Sequence, residues 1–228
     1  MTTLRPDREQ VLCYLGHKGQ EMSKALEDRL EGCIDLVCQA AAPRVCTGSF
    51  AIEKTEQGIE VSDTTLVLPG RDIADLLKNS RRCFLMAATL GPEVDRLCRY
   101  QSARSMADAV MVDAAATALI ECVCDKAQAE LAASLPKGQA LTMRYSCGYG
   151  DLPLSLQPMF VRVLDATRRI GLSCLPSLLL TPQKSVTAVM GISQTETAGK
   201  QADCQTCRFA SSCVLRKAGK HCGNTTSA

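Results

Sequence analysis

Residues 144–157 read RYSCGYGDLPLSLQ. Arg144 stands four positions before Gly148, and Tyr149 lies between Gly148 and Gly150. A plain connector needs one glycine. Two glycines allow positive φ and let a ligand approach the main chain closely. Arg144 offers a planar fork of donors that matches a carboxylate. Tyr149 adds a flat ring and a hydroxyl, suited to lie against a cation or an adenine. The combination fits a pocket for a small anionic ligand. The plainer alternative is a structural turn in which Arg144 pairs with Asp151. Cys147 reads as a buried thiol and not as a nucleophile, because neither His17 nor His221 is near it in sequence.

Outward from this turn, 140–145 (ALTMRY) reads as a strand. Residues 156–169 read as one helix ended by Gly171, followed by two strands, SLLLTP and SVTAVMGI, paired through residues 182–184. Upstream, a short helix spans 7–15, with Asp7 as N-cap and Gly16 ending it. A second helix spans 21–40, with Met22, Leu26, Leu30, Cys33, Ile34 and Val37 near one face. Extended segments follow at 45–53, 59–61 and 65–68, with turn residues Gly58 and Asp63 between them. A turn and helix occupy 69–80, and CFLMAATLG (83–91) reads as a buried strand. A helix starts at Pro92, and the Ala-rich segment 105–134 forms the longest helix, apolar over most of its circumference. Strands cluster locally and do not alternate strictly with helices, so the fold class is α+β. Apolar periodicity stops after Ser193. This divides the chain into an α+β domain over 1–195 and a Cys-rich tail over 196–228.

The 228 residues carry a formal charge of only +2 and no Trp, with four Tyr and four Phe. This gives no basis for expecting nucleic acid as a partner, neither as a charge patch nor as a set of stacking platforms. The opening MTTLRPDREQ lacks an apolar signal segment. The window 106–124 contains Asp108, Asp113 and Glu121. Each acid would cost about 2.5–3.5 kcal/mol at a bilayer centre, so a buried helix is expected there and no membrane span. Ten of the fourteen cysteines lie between residues 13 and 174, mostly among apolar neighbours. They read as small buried hydrophobes in a reducing cytoplasm.

The turn R-x-x-x-G-Y, the helix after it and IGLSCLPSLLLTPQKSVTAVMGI (170–192) together resemble the activation (reactivation) domain of cobalamin-dependent methionine synthase. VLCYLGHKG (11–19), AATLGPEVD (87–95) and GYGDLPLSLQ (148–157) extend the likeness over residues 8–193, toward free-standing relatives of that domain. The resemblance implies a twisted, mainly antiparallel sheet with flanking helices. It also implies an S-adenosylmethionine site at Arg144, Gly148, Tyr149 and Gly150, with Glu121 on the long helix and Ser185 on the late strand. In that family an acidic residue from an N-terminal segment also meets the ligand, and this chain shows no counterpart. The late strand carries Met190 where the family has an aromatic residue. The implied role is to support reductive methylation of cob(II)alamin. The cobalamin would be held on a separate corrinoid protein or methyltransferase, an electron donor would supply one electron, and no side chain of this domain would act as acid or base.

The tail contains Cys204, Cys207, Cys213 and Cys222 at C-x2-C-x5-C-x8-C spacing, with His221 beside the last. Two thiols at C-x2-C spacing grip one centre and two more complete the set, so zinc and a [4Fe–4S] cluster both fit. Arg208, Arg216, Lys217 and Lys220 would offset thiolate charge. Three functions follow: a reactivation module that binds S-adenosylmethionine, a non-catalytic corrinoid-protein adaptor or sensor, and an iron–sulfur electron carrier.

Overall fold

The computed structural model describes residues 4–194. The boundary expected near residue 195 and the four tail cysteines lie outside the described residues.

The two central strands explain the fold. β4 (Ser80–Thr89) and β8 (Ser185–Ser193) pair antiparallel along almost their whole length. Successive side chains of a strand point to opposite faces. Met86, Ala88, Ala188, Met190 and Ile192 enter one apolar cluster, while Cys83, Leu85, Ala87 and Val189 enter another. Both faces are covered, so the two strands read as continuous apolar runs without alternation.

Outside this pair lie β1 (Arg44–Thr55), β2 (Gly58–Val61), β3 (Val67–Leu68) and β5 (Ala140–Leu141). Together they form a six-stranded sheet in the order β3-β2-β1-β4-β8-β5, antiparallel at every pairing. The fold is α+β with a mainly antiparallel sheet.

The first face is covered by α1 (Arg8–Tyr14), α2 (Lys24–Ala40), α4 (Pro92–Arg104) and α5 (Met106–Ala133). α1 is capped by Asp7, which accepts from the N–H of Glu9, and α2 by Ser23, which accepts from that of Leu26. α2 buries Leu30, Cys33, Ile34 and Val37, an i, i+3, i+4, i+7 stripe. α5 runs 28 residues and buries Ala114, Ala115, Ala116 and Ala118, whose small side chains let neighbouring helices approach closely. Four of its five acids are paired: Asp108 with Arg29 at 2.5 Å, Asp113 with Lys184 at 2.7 Å, and Glu121 and Asp125 with Arg144 at 3.0 and 2.7 Å. Among the described residues no helix is long and apolar enough to cross a membrane.

The second face is covered by α3 (Arg71–Leu76), α6 (Gln157–Val163) and α7 (Ala166–Ile170). A separate hairpin pairs β6 (Ser173–Cys174) with β7 (Leu180–Thr181).

Three local expectations are corrected. The helix expected over 156–169 is two helices, because Asp165 adopts a left-handed conformation (φ 48°) between them; Gly171 ends the second as expected. The strand expected over 140–145 pairs regularly only at 140–141. Thr142 then breaks the ladder: its side-chain Oγ1 accepts the Gly191 N–H at 2.8 Å, and only an isolated bridge, Tyr145 to Val189, continues the pairing. Finally, the SLLLTP strand pairs with β6 and not with β8, which is taken up by β4 and β5.

Candidate functional site

Arg144 leaves the sheet one residue before the Tyr145–Val189 bridge and turns onto α5. Its Nη1 donates to Gln128 Oε1 at 2.8 Å; its Nη2 donates to Glu121 Oε2 at 3.0 Å and to Asp125 Oδ1 at 2.7 Å. Residues 121, 125 and 128 stand at i, i+4 and i+7, one face of the helix. The Arg144 side chain is 19% exposed, Glu121 33% and Asp125 32%. Burial alone lowers the pKa of Arg144, but the bond to Asp125 and the charges of Asp125 and Glu121 outweigh it and hold the pKa above its usual value. Three of the five guanidinium N–H groups are engaged. The other two make no hydrogen bond among the described residues.

The pairing of Arg144 with Asp151 is not what the structure contains. Asp151 instead accepts from the backbone N–H of Arg71 at 2.6 Å and of Asp72 at 3.3 Å. α3 has Gly70 at its N-cap and no side-chain cap of its own, so Asp151 supplies one from far along the chain and ties the 148–151 turn to α3. Asp151→Ala should lower stability by about 1 kcal/mol. The drop would be measured as a shift of the urea midpoint with unchanged slope.

Within the turn, Tyr149 N–H donates to Ser146 O, Gly148 N–H to Leu152 O and Leu152 N–H to Tyr149 O. Gly148 (φ 88°) and Gly150 (φ 50°) both take left-handed backbone. At Gly150 a Cβ would also collide with the Tyr145 hydroxyl and the Asp72 carboxylate. Glycine there serves close packing as well as backbone freedom.

Tyr149 is 59% exposed. Its ring meets Tyr145 edge-on, with centroids 6.2 Å apart and planes at 60°, and Tyr145 Oη donates to Asp72 Oδ2 at 3.4 Å. Tyr14, at the end of α1, has its phenol pushed up to about 12, first by burial and then by the charge of Glu121, with a lesser contribution from Tyr149. Tyr14 thus lies within electrostatic reach of both Glu121 and Tyr149.

The structure pairs Arg144 with Glu121, while Gly148, Tyr149 and Gly150 form a turn four to six residues further on that packs on Tyr145 and α3. Ser185 lies at the start of β8, where its hydroxyl donates to Pro182 O at 2.6 Å and is hydrogen-bonded to Thr89 Oγ1 at 2.8 Å. It is four residues from Val189, about 13 Å along the strand. Met190 has no exposed surface and belongs to the helix-side core. Sequence reasoning missed Asp125 and Gln128, although their spacing from Glu121 was a readable signal. It also missed Tyr145, whose ring meets Tyr149, and Tyr14, which only the packing of α1 brings within electrostatic reach of Glu121. Two open clefts, of about 490 and 400 Å³, lie elsewhere, one beside α1 and the start of α2 and the other beside α6 and β6.

Burial pushes the thiols of Cys83, Cys124 and Cys147 up to about 12. After brief iodoacetamide treatment of the native protein at pH 8, mass spectrometry should find these three unmodified, because the thiolate is the reacting species. Carbamidomethylation of Cys147 in the folded protein would contradict its burial. Among the described residues, no group of three or more His, Cys, Asp or Glu is placed to hold a metal ion.

No family model matches the chain, and no curated protein matches it by sequence. Among solved structures, the crystal structure of the MetH reactivation domain bound to AdoHcy is similar, with a TM-score of 0.60 at 17% identity. The likeness covers 78% of this chain and 68% of that one. The chain therefore shares the fold of that reactivation domain.

Proposed function

We propose that this chain binds S-adenosylmethionine at the Arg144–Glu121 cluster and presents its methyl group to a corrinoid carried on a separate protein. In this role it would reactivate a cobalamin-dependent methionine synthase or a related corrinoid methyltransferase, in the cytoplasm. The observation that carries the reading is the geometry of Arg144. It is held by Glu121, Asp125 and Gln128 with two N–H groups to spare, four residues before the Gly148–Tyr149–Gly150 turn, in which Tyr149 is exposed. The similar MetH reactivation domain was solved with AdoHcy, the demethylated form of the same ligand.

In this reading the spare Arg144 donors take the ligand carboxylate, and Glu121 and Asp125 accept from its ammonium group. The main chain at 148–150 holds the polar edge, and Tyr149 lines the ligand. When docked, the partner's corrinoid supplies the metal that an electron donor reduces and that receives the methyl group. Methyl transfer from a sulfonium moves no proton. Positioning and water exclusion are then the tasks of this chain, and no general acid or base is required.

Titration calorimetry of the full chain with S-adenosylmethionine tests this. One saturable event with a stoichiometry near one is expected. No heat from a folded protein favours the second reading, a corrinoid-protein adaptor or sensor. That reading is supported by the local charge compensation of Arg144 by Glu121 and Asp125, which also suits a purely structural tie.

Cys204, Cys207, Cys213 and Cys222 are proposed to hold one metal centre. A [4Fe–4S] cluster there would supply the electron that reactivation needs. Anaerobically purified protein should then contain iron and absorb broadly in the visible, bleaching with dithionite. Colourless protein with one zinc per chain would exclude the redox role.

A further inference from the structure

Gln128 lies on α5, next to buried Ala127 and one turn beyond buried Cys124, so the core fixes its backbone. Its side chain is half-buried and meets Arg144, whose Nη1 donates to Gln128 Oε1 at 2.8 Å. A guanidinium carries donors only, so the amide oxygen must face it and the amide nitrogen must face away. That nitrogen, Nε2, brings two N–H groups. Neither makes a hydrogen bond among the described residues.

Arg144 itself offers no complete fork. A carboxylate is gripped by two neighbouring N–H groups, and in either fork of a guanidinium one of them belongs to Nη2. Here Nη2 donates to both Glu121 Oε2 and Asp125 Oδ1, at 3.0 and 2.7 Å. The N–H groups left over are one on Nη1 and the one on Nε. They do not neighbour each other, so each can meet only one carboxylate oxygen. A second donor for a two-point grip has to come from another side chain. Gln128 Nε2 is bonded to the same carbon as Oε1, which places it beside Arg144 Nη1.

We infer that Gln128 is a specificity-determining residue: its amide N–H and the remaining Nη1 N–H of Arg144 together hold the two oxygens of the carboxylate of S-adenosylmethionine. The inference rests on the proposed reading of the site and names the part of the ligand that the site selects. A residue that only props Arg144 needs the amide oxygen, whereas a residue that holds the carboxylate needs the amide nitrogen. Gln128→Glu separates the two roles. It keeps an oxygen for the guanidinium and replaces the donor with an acceptor that repels the ligand carboxylate.

Calorimetric titration of the full chain with S-adenosylmethionine and, separately, with its decarboxylated form reads the effect. The decarboxylated form keeps the sulfonium and the amine. The unaltered protein should bind S-adenosylmethionine at least about tenfold more tightly than the decarboxylated form. Gln128→Glu should weaken S-adenosylmethionine by about tenfold or more and should not weaken the decarboxylated ligand. Gln128→Met, which removes the donor without adding charge, should show the same dependence on the carboxylate, and it serves should Gln128→Glu fail to fold. A folded Gln128→Glu protein that binds S-adenosylmethionine as tightly as the unaltered one overturns the inference alone. So does an equal loss for both ligands, or equal affinity of the unaltered protein for both. Absence of binding by either ligand to the unaltered protein overturns the reading of the site itself, and the inference with it.

Discussion

Arg144→Ala should weaken S-adenosylmethionine binding by about ten- to a hundredfold. A charge-assisted bond to a carboxylate is worth about 1.5–3 kcal/mol, and every 1.4 kcal/mol is a factor of ten. The fold should tolerate the change. Removing the guanidinium leaves Glu121 and Asp125 facing each other at i, i+4 on α5, a repulsion of only a few tenths of a kcal/mol. Both side chains are about one-third exposed, so solvent screens them further. Calorimetry gives the loss of affinity, and circular dichroism should show a near-native spectrum. Arg144→Lys should recover only part of the affinity, since an ammonium keeps the charge but lacks the planar fork. Undiminished affinity in Arg144→Ala would remove this residue from the site.

Phe160→Ala should destabilise the protein by about 3–5 kcal/mol, well beyond the loss expected of Asp151→Ala. Phe160 lies on α6 with no exposed surface and heads the large side chains of the second core. Beside it, buried Thr187 Oγ1 donates to Gln157 Oε1 at 3.0 Å and ties α6 to β8. Truncation there leaves a cavity between helix and sheet that neither layer can close without breaking this contact. A typical domain has only about 5–15 kcal/mol in total. The urea midpoint should therefore fall sharply, with the slope unchanged. A loss below about 1 kcal/mol would mean that the second layer does not pack on the sheet as described.

Elements whose signals are local were legible in the sequence. The stripe of Leu30, Cys33, Ile34 and Val37, the Asp7 cap and the Ala-rich length of α5 each lie within one element and correspond to what is observed. Partner choice among short apolar runs was not legible. Leu180–Thr181 carries no mark that sends it to Ser173–Cys174 instead of β8, because apolar strands of similar composition differ only in what the rest of the fold leaves free. The break between α6 and α7 occurs at Asp165, with neither glycine nor proline to announce it. At the site, the R-x-x-x-G-Y-G turn announced itself because its residue types are uneconomical for a connector. The helix partners of Arg144 lay within reach of a spacing argument, since 121, 125 and 128 share a face. Tyr14 did not, because more than a hundred residues separate it from Glu121 and only the packing of α1 on α5 brings the two together. Asp151 shows the opposite error. The nearest opposite charge in sequence is bound to the backbone of α3, and the more distant acids of α5 hold the arginine.

Crystals of the full chain grown with S-adenosylmethionine test the central claim most directly. The account predicts the ligand's carboxylate on Arg144, its ammonium group against Glu121 or Asp125, and its polar edge along residues 148–150. A ligand bound elsewhere, or an Arg144 that keeps only Gln128, Glu121 and Asp125 as partners at saturating ligand, would contradict it.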